Sequence, residues 1–348
     1  MNKTINDKQS FFKSKHGRAL IGVAAIGLLV LLASALEFGI VLNRNRFVLL
    51  LLGLIAVYTI AVSGLDVLFG YSGQISLGHA GFWAVGAYAS ILMSHGRFGF
   101  SQWFGFALPP IITIFLAGIV AMAFGVLIAF PASKLVAHFL ALLTIAFGEL
   151  VFLAIISFPN VTNAFLGVTA IPPISLFGFA FNTNYLFFLF ALVLTVIFLI
   201  VKQRIIHSRV GRALIAIREN PLAANGVGVN LQYYKVMSFA ISAFFTGVSG
   251  AMYAHLVGFI SPETFMFAQS VIFLTMLIFG GAGNLFGPIV GVIIIVIMQE
   301  ALQAFSTARM LIYGIFLLLT ILFLPKGVFG IGERLRGLIR KVVSKKNA

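Results

Sequence analysis

Long apolar runs, broken by short polar or glycine-rich intervals, set the pattern of this chain. About 20 apolar residues suffice to cross the hydrocarbon core of a bilayer as a helix. Runs of that kind predict spans near 19–36, 47–63, 79–94, 104–130, 135–158, 185–201, 236–257, 266–281, 288–305 and 309–324. The expected fold is an all-α, polytopic transmembrane helical bundle of about ten spans. It has a short arm at 1–18, a membrane domain over 19–324 and a tail at 325–348. The first run ends in Glu37 without a small-residue cleavage site, so it reads as a retained span rather than a signal peptide.

Three intervals stand out against this background. Gly70-Tyr71-Ser72-Gly73-Gln74-Ile75-Ser76-Leu77-Gly78-His79-Ala80-Gly81 follows the second run, and Gly280-Gly281-Ala282-Gly283-Asn284-Leu285-Phe286-Gly287-Pro288-Ile289-Val290-Gly291 follows the eighth. Each holds a glycine-amide pair, Gly73-Gln74 and Gly283-Asn284, and a later glycine. Corresponding Gly- or Pro-interrupted segments point to a transport pathway, because unwound backbone is tolerated at membrane depth only where protein or a water-filled cavity satisfies it. The other reading is tight turns with close helix packing. The third interval, 202–235, is polar. Within it Gly211–Glu219 predicts a short helix, Asn220 an N-cap, and Pro221 the first residue of a second short helix closed by Gly226 and Gly228. Two helices about a Pro turn form a rigid knob or, on the plainer reading, a solvated connector. The interval 159–184 carries no charge and its Gly and Pro mark a loop suited to docking or substrate entry.

Composition agrees with a membrane protein: 61% of the 348 residues are hydrophobic and 9% charged, against about a quarter charged in soluble domains. The net charge of +15 does not form a basic groove interleaved with aromatics, so nucleic-acid binding is not expected. The positives instead flank the apolar runs. With the N-terminus inside, 19 of the 23 Lys and Arg fall on the inner side and four, Arg44, Arg46, Arg97 and Arg309, on the outer. This split predicts both termini in the cytoplasm, with 202–235 cytoplasmic. Trp83, Tyr88 and Trp103 are placed as interfacial anchors.

Chemistry-bearing residues are sparse. The absence of cysteine excludes disulfides, thiolate metal sites and cysteine nucleophiles. His79 and His255 lack a second ligand at helical spacing, so satisfied polar contacts are expected rather than metal. Glu149 and Glu300 fall within predicted spans, where a carboxylate should face the bundle interior or a cavity; Glu149 is a candidate for the path, Glu300 lies close to the outer boundary. No phosphate loop, His-Glu-x2-His or Gly-x-Ser-x-Gly motif occurs, so energy for any active transport comes from an ion gradient or a partner.

The two glycine-rich intervals and Gly211-Arg212-Ala213-Leu214-Ile215-Ala216-Ile217-Arg218-Glu219-Asn220 together resemble the signatures of the inner-membrane permeases of branched-chain amino acid ABC importers. Within that family the run Thr162…Gly167-Val168…Ile171-Pro172-Pro173…Leu176-Phe177-Gly178 is similar to the longer of two paired permeases, departing at Asn163-Ala164, where glycines are usual. Urea-importer permeases share the other motifs, and an ion-coupled carrier is the alternative from another class. The resemblance implies a non-enzymatic subunit without a cofactor of its own. It implies a second homologous permease, two cytoplasmic ATPases that bind and hydrolyse ATP, and an external substrate-binding protein. Residues expected to couple to the ATPases are Gly211, Arg212, Arg218, Glu219, Asn220, Pro221, Ala224 and Gly228. Those expected along the path are Gly73, Gln74, Gly78, His79, Glu149, Gly283 and Asn284.

Overall fold

The computed structural model describes residues 46–95 and 108–302, apart from 134, 136, 177, 178 and 182, together with 311, 312, 314, 315 and 318. The arm, the tail, the first span, most of the tenth, and Trp103 lie outside the described residues.

Ten helices of six residues or more follow in order among the described residues: α1 (Arg46–Asp66), α2 (His79–Ser94), α3 (Pro110–Ala132), α4 (Ala137–Ser157), α5 (Asn184–His207), α6 (Arg209–Glu219), α7 (Pro221–Gly226), α8 (Leu231–Val257), α9 (Phe267–Gly280) and α10 (Gly287–Ala301). The fold is all-α; the only strand pairing among the described residues is a two-residue antiparallel ladder, β1 (Ser175–Leu176) with β2 (Phe179–Ala180). Among the described residues five helices are long and apolar enough to cross a membrane: α1 with its extension to Tyr71, α3, α4, α5 and α8. Helices α9 and α10 are apolar but have 14 and 15 residues, so each rises only about 21–23 Å, short of a hydrocarbon core of about 30 Å.

The long helix α8 is the hub, packed against α1, α2 and α3; α5 covers α1, α9 and α10 pair beside α1, and α4 leans on α2. Small residues make the central crossings close. A Cβ on Gly86 of α2 would sit 2.1 Å from the Gly247 carbonyl oxygen, and one on Gly247 would sit 2.4 Å from the Ala121 Cβ of α3. Between helices in lipid no hydrophobic force operates, and such approach supplies the dispersion contact that holds them. Trp83 and Tyr88 are buried here, where Trp83 meets Tyr58, Tyr253, Phe265 and Phe273. They are core rather than the interfacial anchors that their aromatic character suggests, because α2 is enclosed by α3, α4, α8 and α9.

The chain gathers its connections at two ends. At one end Arg218 reaches Gly70, Lys202 reaches Asn284 and Lys235 reaches Ser133. At the other, Asn184 bonds the Arg46 carbonyl, Val168 bridges Ile260, and His255 Nδ1 donates to the Pro172 carbonyl at 2.8 Å. The described part of 159–184 thus has structure of its own, with a helical turn at Pro159–Thr162, a 3-10 turn at Ala164–Leu166 and the ladder. Asn163 and Ala164 hold φ of 61° and 46°. Glycine enters that left-handed region freely, whereas Asn163 and Ala164 hold it with side chains that rarely adopt it.

Replacing Gly86 by Leu is expected to destabilise the bundle by about 1–3 kcal/mol or more through overpacking. Gly226→Ala, with open space around it, is expected to stay within about 0.5 kcal/mol. Thermal unfolding of the two variants in detergent, followed by size-exclusion chromatography, checks the contrast.

Candidate functional site

The three polar intervals, distant in sequence, meet at one end of the bundle. Helix α1 does not stop at Asp66 but widens into a π-helical turn, Val67–Tyr71, a form that is rare and concentrates at functional sites. Asp66, at its junction, is fully buried and pairs with Lys202 of α5, also 0% exposed, at 2.7 Å. The other carboxylate oxygen of Asp66 accepts from the Gly283 backbone N–H at 2.7 Å, and Lys202 Nζ donates to the Asn284 carbonyl at 3.4 Å. One ion pair therefore fastens α1, α5 and the turn between α9 and α10.

Arg218, at the end of α6, closes the node. It lies at the surface, yet its guanidinium reaches inward to donate to the Gly70 carbonyl. Glycine is required where these segments meet. A Cβ on Gly70 would fall 2.0 Å from Asp66 Oδ1 and 2.5 Å from the Gly283 nitrogen; Gly283 itself has φ +79°. The stem of Arg218 covers Gly73, whose φ is +72°.

Above the node the first break runs through the bundle as irregular backbone, residues 72–78. Its polar groups are met by serines on α8 and a threonine on α4. Gln74 Nε2 donates to Ser238 at 2.7 Å and to Ser72. His79 contacts Ser76 at 2.9 Å and Ser242 at 2.7 Å, one ring nitrogen to each. The Leu77 N–H donates to Thr144 at 3.0 Å, and Gly78 lies against the Thr144 carbonyl. Irregular backbone at this depth needs such internal partners because lipid supplies none. The break is therefore a largely buried segment braced by internal side chains, although Gln74 Oε1 has no hydrogen-bond partner among the described residues, and Gln74 and His79 point into protein. His79 and His255 both have the satisfied polar contacts expected of them, and among the described residues no group of three metal-binding side chains occurs.

The knob takes the form that its capping residues predict. Ser208 caps α6, Asn220 Oδ1 accepts from the Ala223 N–H at 3.1 Å as N-cap of α7, and Pro221 is the first residue of α7. Ala213, Leu214 and Ile217 form the buried stripe of α6, and Ala224 seats α7. Gly211 abuts the Ile206 carbonyl, Arg212 bonds the His207 carbonyl, Gly228 takes φ +85°, and Glu219 is exposed. Leu222 and Val227 project outward, 84% and 80% exposed.

Two expectations need correction. Lys202 does not belong to a solvated connector: α5 continues to His207, so Lys202 stays within the bundle as the partner of Asp66. Glu149 does not face the interior of this chain. The interior stripe of α4 is taken by Leu140, Thr144, Phe147 and Ile155, leaving Glu149 exposed on the opposite side. Asp66 is a site residue that sequence reasoning overlooks, although a lone aspartate continuing the apolar run from Phe47 to Phe69 is a visible signal.

A family model described as branched-chain amino acid transport system / permease component matches residues 47–324. The chain belongs to this family. This permease is 32% identical over 324 residues to the high-affinity branched-chain amino acid transport system permease protein LivM of Escherichia coli (strain K12), a match covering 86% of the chain and 74% of LivM. It is 23% identical over 317 residues to the probable branched-chain amino acid transport permease protein LivM of Methanocaldococcus jannaschii, covering 86% and 89%. LivH of E. coli K12, also a permease protein of that transport system, is 28% identical over 126 residues, covering 36% of the permease and 41% of LivH. No solved structure matches.

Removing one member of the buried ion pair, as in Asp66→Leu or Lys202→Met, leaves an uncompensated group and is expected to cost about 3–5 kcal/mol. Replacing both with apolar residues, Asp66→Leu with Lys202→Met, is expected to recover most of that loss. A double-mutant cycle on thermal stability measures the coupling.

Proposed function

We propose that this permease is the transmembrane subunit of an ATP-driven importer for the branched-chain amino acids leucine, isoleucine and valine, in the inner membrane of a bacterium. It forms the translocation path with a second, homologous permease. Two cytoplasmic ATPases bind and hydrolyse ATP, and an external binding protein delivers substrate; the permease itself has no catalytic residue and needs no cofactor.

The observation that carries this reading is the convergence of the knob and both glycine breaks on one buried node through Arg218. A knob exposing Leu222 and Val227 beside Arg212 and Glu219 is a surface for a soluble protein. With the positive charge gathered on the inner side, that end is cytoplasmic, and the absence of a phosphate loop makes an ATPase the fitting partner. At the opposite end the 3-10 turn at Ala164–Leu166 exposes Phe165 and Leu166 for the binding protein. Displacement of the knob by the ATPases moves Arg218, and with it Gly70 and Gly283. Both breaks shift together, switching access from outside to inside. In this scheme Gly73, Gln74, Gly78, His79, Gly283 and Asn284 serve the path as its movable, hydrogen-bonded wall.

Reconstitution tests the proposal. Vesicles holding both permeases, the ATPases and the binding protein should take up leucine only with ATP, and ion-gradient collapse should leave uptake unchanged. Uptake without ATP or ATPase contradicts it. Leu222→Asp combined with Val227→Asp should reduce ATPase co-purification at least tenfold while the permease stays monodisperse.

A further inference from the structure

The exposed face of α4 is the feature that the proposed function leaves unexplained. At about 100° per residue, His138, Leu142, Ala146, Glu149 and Leu153 share one side of the helix, and all are exposed. This side is opposite the stripe of Leu140, Thr144, Phe147 and Ile155 by which α4 rests on the bundle. Glu149 lies eight residues before the end of the helix at Ser157, about 12 Å along the axis. With the ends of this 21-residue helix at the two membrane surfaces, its short side chain reaches neither.

A carboxylate in that position is costly against lipid, and such groups face a partner, a bundle interior or water. Among the described residues no cation or hydrogen-bond donor pairs with Glu149, and the ion pair found there joins Lys202 to Asp66 instead. The cavity beside α4 offers no alternative. An apolar groove of about 560 Å³ runs between α3 and α4 over α2, but α4 lines it with Phe147, Leu150, Val151 and Ala154, on the flank away from Glu149. That groove suits acyl chains; the Glu149 face does not.

We infer that the outward face of α4 is the docking surface for a transmembrane helix of the second permease, which presents a cationic or hydrogen-bond-donating side chain to Glu149. The inference rests on the paired-permease reading above. Charge complementarity selects the partner's group, and the neighbours of Glu149 select a helix. Ala146, one turn away, leaves room for close approach, and Leu142 and Leu153 continue the apolar contact to either side. A water-lined path would carry more than one polar group mid-helix, whereas here Glu149 stands alone among Leu142, Ala146 and Leu153.

The test uses the full chain co-expressed and purified with the second permease. A photo-reactive benzoylphenylalanine is placed at Leu142, Ala146 or Leu153, and at Leu127 of α3, 68% exposed on another face, as control. Cross-links from the α4 positions to peptides of the second permease, absent from Leu127, are the expected result. Glu149→Gln should keep the complex, whereas Glu149→Lys should lower co-purification of the second permease at least tenfold while the chain itself remains monodisperse. Cross-links only to lipid, to substrate, or to the 19–36 or 309–324 segment of the same chain overturn the inference while leaving the paired-permease reading intact. Failure of the unmodified chain to co-purify with any second permease overturns that reading and the inference with it.

Discussion

A single buried ion pair, Asp66 with Lys202, is the interaction on which the working end of this molecule depends. Taking two charges out of water is expensive, and attraction in a low-dielectric interior repays it only when the remaining polar capacity is satisfied. Here backbone supplies part of it: the Gly283 N–H serves Asp66 Oδ1 and the Asn284 carbonyl serves Lys202. The pair therefore does more than join two helices. It makes the geometry of the α9–α10 turn a condition of burying the charges, so that the turn, α1 and α5 hold one another in register.

In the proposed mechanism a lever sits on this node. Helices α6 and α7 form a rigid unit because each begins with its own cap and each seats small or aliphatic residues against the bundle. Arg218 is the point where this unit touches both glycine-bearing segments, donating to Gly70 and lying against Gly73 and Gly283. The same glycines that allow the close contact also leave the backbone free to change conformation. Rigid helices above, a rigid knob below and glycine between them are the parts from which a transmission is made.

Local rules are legible in the sequence, and long-range pairings are not. Asn220 and Pro221 announce a helix start through their own chemistry, so the paired short helices at 211–226 can be read directly. The apolar runs likewise give the described helices to within a few residues, apart from α3, which starts at Pro110, and α5 and α8, which extend beyond their apolar segments. Lys202 is misplaced because charge counting assigns every lysine beside an apolar run to solvent, whereas its fate depends on Asp66, far away in the chain. Trp83 and Tyr88 are misplaced for a related reason: an aromatic near a span end is an anchor only if nothing else packs on it. Glu149 shows the limit differently, since a carboxylate in a span declares that it needs a partner without saying whether that partner is in the same chain.

The central claim is that Arg218 transmits motion between the knob and the breaks. Its most direct test is the number of leucine molecules taken up per ATP hydrolysed in reconstituted vesicles, compared between the unmodified permease and Arg218→Ala. The variant is expected to assemble with its partners and keep ATP hydrolysis, while uptake per ATP falls at least tenfold. An unchanged ratio in a fully assembled Arg218→Ala complex contradicts it.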